Sequence, residues 1–277
     1  RGKSIARTVI SGMHAERIWA YIACLFGTAQ YCKGPDFWVR EKKGCLHGPD
    51  FGEYVTEGRF RRVGRYLARG PEECDEGLAT DPWCQFRWML DGFNSARKRE
   101  FSASAKLNLD ETMLAWKGKS GVGGLPHLSF VKRKPEPLGL ELKTCCDGQV
   151  GVLLWAEIQE GRARMARAKY VAEHQATTAQ TMRLVEGCNV GDGKKRTCYI
   201  DSWFCSVKTQ RVLAEKFQCH TIGCVKTAHR EFPAEAMRWT LKDKARGEHV
   251  VFKAEDEDLW AVGWSDVHFK FYLASCG

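Results

Sequence analysis

Two acidic sites carry the residues of this chain that could do chemistry. Asp201 follows the apolar, β-prone run Cys198-Tyr199-Ile200 and precedes Ser202-Trp203-Phe204. From Ser206 on, Val207, Val212 and Leu213 recur at helical spacing, with Lys208, Arg211 and Lys216 between them, which predicts a helix. Asp201 therefore lies where a buried strand opens into a helix. In an open α/β sheet that is where ligands and metals collect. The competing reading is a helix N-cap, because Asp is a favoured capping residue. The second site is Asn108-Leu109-Asp110-Glu111, a paired acidic step on a strand that also carries Leu107, Met113 and Leu114.

The rest of the chain must position these groups. Its 277 residues, 44% hydrophobic, suffice for a sizeable core in one large domain or two. A formal net charge of +9 favours a polyanionic partner such as nucleic acid. The 13 cysteines include no paired Cys-x-x-Cys sets, which argues against a tetrahedral zinc module and for reduced thiols. The longest apolar run, from Ile18 to Phe26, is far too short to span a bilayer, which takes about 20 residues. Helical spacing predicts a buried helix from Met13 to Phe26, a second over Glu57–Leu67 with arginines outward, and a third over Trp83–Arg99. Near Ser102 the pattern turns to strands. Gly139–Cys146 and Val150–Ile158 read as a hairpin about Asp147-Gly148. A helix capped by Thr177 or Thr178 follows, and three strands after residue 250 form an antiparallel excursion. The glycine-rich stretch Gly118–Gly124 lacks the Gly-Lys-Ser/Thr ending of a phosphate loop. This order implies a mixed α/β sheet with helices on its faces.

Several collinear segments resemble one family. Asn108-Leu109-Asp110-Glu111 with Trp116-Lys117-Gly118-Lys119 is similar to the first acidic motif of piggyBac-type transposases. Lys134-Pro135 with Gly139 resembles that family's lysine-proline-glycine segment, and Cys146-Asp147-Gly148 the turn after it. Tyr199-Ile200-Asp201-Ser202-Trp203-Phe204 resembles the second acidic motif. Phe60-Arg61-Arg62 with Tyr66-Leu67 is similar to the helical lead-in, and Tyr272-Leu273-Ala274-Ser275 to a strand upstream of the third acidic motif.

The resemblance implies a ribonuclease-H-like catalytic core over residues 104–277, behind a helical dimerisation and DNA-binding lead-in over 1–103. It implies Asp110 and Asp201 as catalytic, metal-holding carboxylates for Mg²⁺ or Mn²⁺, on adjacent strands and within roughly 4–8 Å of each other. Glu111 is the next candidate ligand, expected on the opposite face of the strand. DNA is the implied partner, as are a homodimer and a nuclear location. Arg61, Arg62, Arg65, Arg97, Lys98, Arg99, Lys132, Arg133 and Lys134 are the candidate phosphate contacts. The chain opens on Arg1 and ends at Gly277 without the Gly-Gly-Val-Asp segment that carries the family's third Asp. The expectation is a truncated frame that neither cuts nor joins DNA. The alternatives are a domesticated, non-specific DNA-binding module, and a metal-dependent nuclease completed by another acid.

Overall fold

The alternation read around Asp110 is realised in a ten-residue strand, β1 (Lys106–Ala115), with Leu107 and Leu109 buried and Asn108 and Asp110 exposed. The computed structural model describes residues 15–31, 38, 50–67, 81–118, 125–226 and 231–275. The chain divides into two units, 1–88 and 89–277.

In the first unit lie α1 (Ala15–Tyr31), a single 3₁₀ turn (Phe51–Glu53) and α2 (Glu57–Leu67). Asp50 opens the 3₁₀ turn by accepting a hydrogen bond from the Gly52 N–H at 2.8 Å. Cys24, Phe51 and Val55 form a small core, against which Trp38 and Phe60 pack. The Trp38 indole N–H donates to the Val55 carbonyl at 2.7 Å. The expectation of a buried helix near the N-terminus is corrected here. Trp19 and Phe26 are 68% and 74% exposed, and among the described side chains of α1 only Cys24 is buried in the core. A cluster this small covers one side of a helix, whereas α1 is apolar on more than one side.

The division between the units falls inside α3 (Cys84–Glu100), upstream of the composition change near residue 103. The second half of α3 is tied to the sheet. Asn94 Nδ2 donates to the Ala156 carbonyl at 2.9 Å, and the Ala156 N–H returns a bond to Asn94 Oδ1 at 3.1 Å. These bonds satisfy backbone groups of an edge strand that would otherwise be open to another chain.

That edge strand is β4 (Leu153–Ile158), paired antiparallel with β3 (Leu138–Asp147), as is the two-residue β2 (Ser129–Phe130). β3 runs antiparallel to β1, and β1 is parallel to β5 (Arg196–Ile200), which is parallel to β6 (Cys219–Cys224). The order β4-β3-β1-β5-β6, antiparallel and then parallel, is the ribonuclease-H-like arrangement expected. Helices α4 (Arg162–Met165) and α5 (Ala176–Gly187) separate β4 from β5, and α6 (Val207–Phe217) joins β5 to β6. After α7 (Ala234–Leu241) come β7 (His249–Lys253), β8 (Trp260–Trp264) and β9 (Lys270–Ala274). They form the antiparallel excursion read from the sequence. It extends the same sheet, because β9 pairs with β6.

The core gathers Leu107 and Leu109 from β1, Cys198 and Ile200 from β5, Met182, Leu184 and Val185 from α5, and Leu213 from α6. Neither Thr177 nor Thr178 caps α5. Its N-cap is Gln175, without a side-chain bond, while buried Thr178 shares a 2.9 Å hydrogen bond with Thr209 of α6. The β3–β4 connection is held by Asp147, whose Oδ1 accepts from the N–H groups of Gln149 and Val150 at 2.9 and 3.1 Å. Burial pushes the Asp147 carboxyl up, but these bonds and those from Ser104 outweigh it and hold the group below its ordinary range.

The register of β5 against β1 depends on Arg196, which is 2% exposed. Its guanidinium binds Asp192 at two points, 2.6 and 2.8 Å, and donates to the Ser104 and Ala103 carbonyls at 3.2 and 3.1 Å. The planar fork of Arg suits such a bidentate pairing. It locks the entry to β5 beside the entry to β1 and so sets the pairs Lys106–Thr197 through Leu109–Ile200.

Candidate metal centre

Parallel pairing of β1 with β5 ends at Leu109–Ile200. One step further along both chains stand Asp110 and Asp201. β1 continues to Ala115 while β5 gives way to a turn, so both carboxylates occupy the notch where the parallel pairing stops. Asp110, Glu111 and Asp201 each present an oxygen within 4.8 Å of the other two. Among the described residues this is the one group of three or more acidic, His or Cys side chains so gathered. Asp110 is exposed, and Glu111 and Asp201 are half-buried.

Each carboxylate is oriented by its own backbone. Asp110 Oδ1 accepts from the Glu111 N–H at 2.7 Å, and Thr144 on β3 donates to the Asp110 carbonyl at 3.0 Å. Asp201 Oδ1 accepts from the Trp203 N–H at 2.8 Å, and its carbonyl accepts from the N–H groups of Phe204 and Cys205 at 3.1 and 3.0 Å. This closes the Asp201 turn upon itself. The helix-cap reading of Asp201 fails, because Ser206 is the N-cap of α6, accepting from the Thr209 N–H at 3.1 Å. Asp201 is thus left to face the site.

Close approach of β6 to this turn requires Gly223. A Cβ there would lie 2.7 Å from the Ile200 carbonyl oxygen and 2.9 Å from Cys205 Sγ. Cys205 is buried beneath the turn. Burial, with smaller contributions from Cys224 and Asp201, pushes its thiol up to about 12 against a hydrogen bond from Gln210.

Glu111 differs from expectation. Strand alternation does assign it to the face of buried Leu107 and Leu109. Its carboxylate still joins the other two, because β5 has ended alongside it and the longer Glu side chain closes the distance. Glu111 Oε1 also contacts Arg133 Nη2 at 3.1 Å and Lys134 Nζ at 3.7 Å. The site therefore holds three carboxylates, one of them already partnered by two cations.

The donor set fits a hard divalent cation. Octahedral Mg²⁺ with bonds of about 2.0–2.1 Å requires ligand oxygens no more than about 4.2 Å apart. Three ligands on one ion include at most one opposite pair, and neighbouring ligands lie about 2.9 Å apart, so oxygens 4.8 Å apart or less would draw together by up to roughly 2 Å on binding. Carboxylate oxygens also suit Mg²⁺ or Mn²⁺ better than softer ions.

The candidate phosphate contacts are scattered more widely. Arg61 and Arg62 are exposed on α2, Arg61 in an ion pair with Glu57. The Arg65 side chain lies outside the described residues. Lys98, Arg99 and Lys132 are exposed, with Arg99 paired to Glu100. Arg133 and Lys134 lean on Glu111.

Arg97 departs from its expected role. It is buried, and its guanidinium donates to the carbonyls of Leu154, Phe101 and Gly187. The signal for this was present in the sequence. Leu90, Asn94 and Arg97 follow helical spacing, so Arg97 lies on the inward stripe of α3, not in a surface run. Lys143, the one cation of strand β3, has no periodic signal in the sequence. Its Nζ lies 3.7 Å from the centre of the Trp203 ring, beside the Asp201 turn.

The family described as Transposase IS4 matches residues 3–274. A solved piggyBac transposase, in a synaptic complex with hairpin DNA, has the same fold with a TM-score of 0.72. The two are 19% identical over 95% of this chain and 52% of that one, so this chain spans about half the length of that transposase. No curated protein sequence matches.

Proposed function

This chain belongs to the transposase family described as Transposase IS4, and on that premise we propose that Asp110 and Asp201 hold a divalent cation for phosphodiester chemistry on DNA. The observation that carries the proposal is the convergence of Asp110, Glu111 and Asp201 within 4.8 Å, where parallel pairing stops, in a chain with this fold. The family implies use of a divalent metal, and an all-carboxylate donor set accommodates Mg²⁺ and Mn²⁺ alike. A bound ion would offset the negative charge of the phosphodiester and draw electron density from the phosphorus. The protein's part is positioning. The Trp203 and Glu111 N–H groups aim one oxygen each of Asp201 and Asp110, and the two strands fix their separation. Arg133 and Lys134 limit the repulsion that Glu111 would add.

DNA is the proposed substrate, met through exposed cations that include Arg62, Lys98 and Lys132, and the nucleus is its proposed place of action. Homodimerisation through the helical lead-in belongs to the same proposal. In-line transfer with two ions needs anchors for both, roughly 3.5–4 Å apart. The described residues supply one such cluster, enough for one ion. We therefore propose that this chain binds metal and DNA but does not by itself cut DNA.

The test is a Mn²⁺ titration followed by electron paramagnetic resonance, on the wild type and on Asp110→Asn and Asp201→Asn. One site of millimolar or better affinity, lost in both variants, is expected. Equal binding by all three proteins would overturn the assignment. A plasmid-nicking assay alongside would reverse the view of activity if it showed nicking that vanished in Asp201→Asn.

A further inference from the structure

Lys143 is among the most buried charged residues of the chain, with 3% of its side chain exposed. It lies on β3 directly opposite Glu111 of β1, which places both side chains on one face of the sheet. Its ammonium has two kinds of partner. Nζ is 2.8 Å from Glu141 Oε1, and it sits over the Trp203 ring at 3.7 Å and near the Phe204 ring at 5.3 Å. Glu141 is fixed in turn by Ser129, whose hydroxyl donates to Oε2 at 2.6 Å. A buried ammonium persists only where it is paired, and a desolvated aromatic face is a strong partner for it.

The ring it faces belongs to the residue whose N–H orients Asp201. A mechanical chain therefore runs Ser129–Glu141–Lys143–Trp203–Asp201, from β2 through β3 to the acidic cluster. We propose that Lys143 is a positioning residue of the metal centre: by holding the Trp203 ring it fixes the Asp201 turn and the aim of the Asp201 carboxylate. This role rests on the metal-centre reading above and adds to it a residue that touches no metal.

Outer partners of this kind typically alter metal affinity by about 10–100-fold when replaced. Lys143→Met keeps the length of the side chain and removes the charge. Lys143→Arg keeps a cation able to stack on the indole. Trp203→Leu breaks the same chain while leaving the Lys143–Glu141 pair in place.

Two measurements on the full chain decide the matter: hydrogen exchange of the amides in the 202–205 turn without metal, and Mn²⁺ affinity by electron paramagnetic resonance. Lys143→Met and Trp203→Leu should each speed exchange in the turn and weaken Mn²⁺ binding by about 10–100-fold. Lys143→Arg should restore both. A folded Lys143→Met protein with unchanged turn protection and unchanged affinity would overturn the proposal. If Lys143→Met does not fold, Trp203→Leu with wild-type affinity overturns it instead. If the wild type binds no Mn²⁺, the metal centre fails and this role with it, and faster exchange in Lys143→Met would then show only that Lys143 steadies the turn.

Discussion

Gathering three carboxylates costs the free protein stability, and that cost can be measured. Two unit charges 4.8 Å apart repel by roughly 0.9 kcal/mol in water and roughly 3.5 kcal/mol at an effective dielectric of 20. Asp110 is exposed, and Glu111 is partnered by Arg133 and Lys134, so the lower end applies. Asp201→Asn removes one charge and keeps an Oδ1 acceptor for the Trp203 N–H. It should stabilise the metal-free protein by about 1 kcal/mol, raising Tm by about 2–4 °C for a chain of this size. With metal the order should invert. A ligand at a hundred times its Kd contributes about 2.7 kcal/mol to the wild type, roughly 5–10 °C, and little to the variant. Thermal melts followed by circular dichroism, in EDTA and in Mn²⁺ at a hundred times the Kd found by titration, would show the two curves crossing. The reasoning is refuted if Asp201→Asn melts below the wild type in EDTA, or if Mn²⁺ raises both proteins equally.

Three further outcomes follow from the same structure. Arg97→Met strands buried carbonyls at Leu154 and Gly187 and should cost about 3–5 kcal/mol in urea denaturation, without changing the salt dependence of DNA binding. Lys132→Ala, at an exposed position, should do the reverse: Tm holds, while the slope of log affinity against log salt falls by about one unit in filter binding. Asp192 is held well below the ordinary carboxylate range, first by its hydrogen bonds from Arg196. A depressed folded-state value means its contribution is present in full above the unfolded value near pH 4. It is then lost as pH falls through the folded value. Asp192→Asn should therefore be less stable than wild type at neutral pH, and the difference should shrink below pH 4 in acid titrations of Tm.

What was legible in the sequence was whatever repeats with a short period. Leu107 and Leu109 alternating with Asn108 and Asp110 gave β1 and its acidic step, because one face of that strand is buried and the other is not. Cys198 and Ile200 placed β5, and the motif order placed Asp201 at its end. The misreadings have a common cause, which is that side-chain partners distant in sequence leave no periodic trace. Arg97 closes a basic triplet and looked like surface, yet its acceptors are on β4 and α5, remote in sequence. At Asp201 a cap reading competed with the metal reading, and the cap belongs to Ser206, whose bond to the Thr209 N–H leaves no periodic trace either. Trp19 and Phe26 looked like core, but the cluster around Phe51 is too small to cover them.

The same division separates residues that fold the chain from residues that could act on DNA. Arg196, Arg97 and Asp147 spend buried or half-buried charge on the backbone of neighbouring strands, and replacing any of them leaves several carbonyls or N–H groups without partners. Asp110 and Asp201 stand just beyond the last paired residues of β1 and β5, where no ladder bond depends on their side chains. Their charges oppose each other, so the fold gains nothing from holding them together without a cation. An arrangement that costs stability and is nonetheless fixed by Trp203, Thr144 and the register of two strands is what the proposed cation binding would account for. Conservative replacements at the cluster should leave the sheet intact, and losses of metal or DNA binding there can be read as losses at the site, not as unfolding.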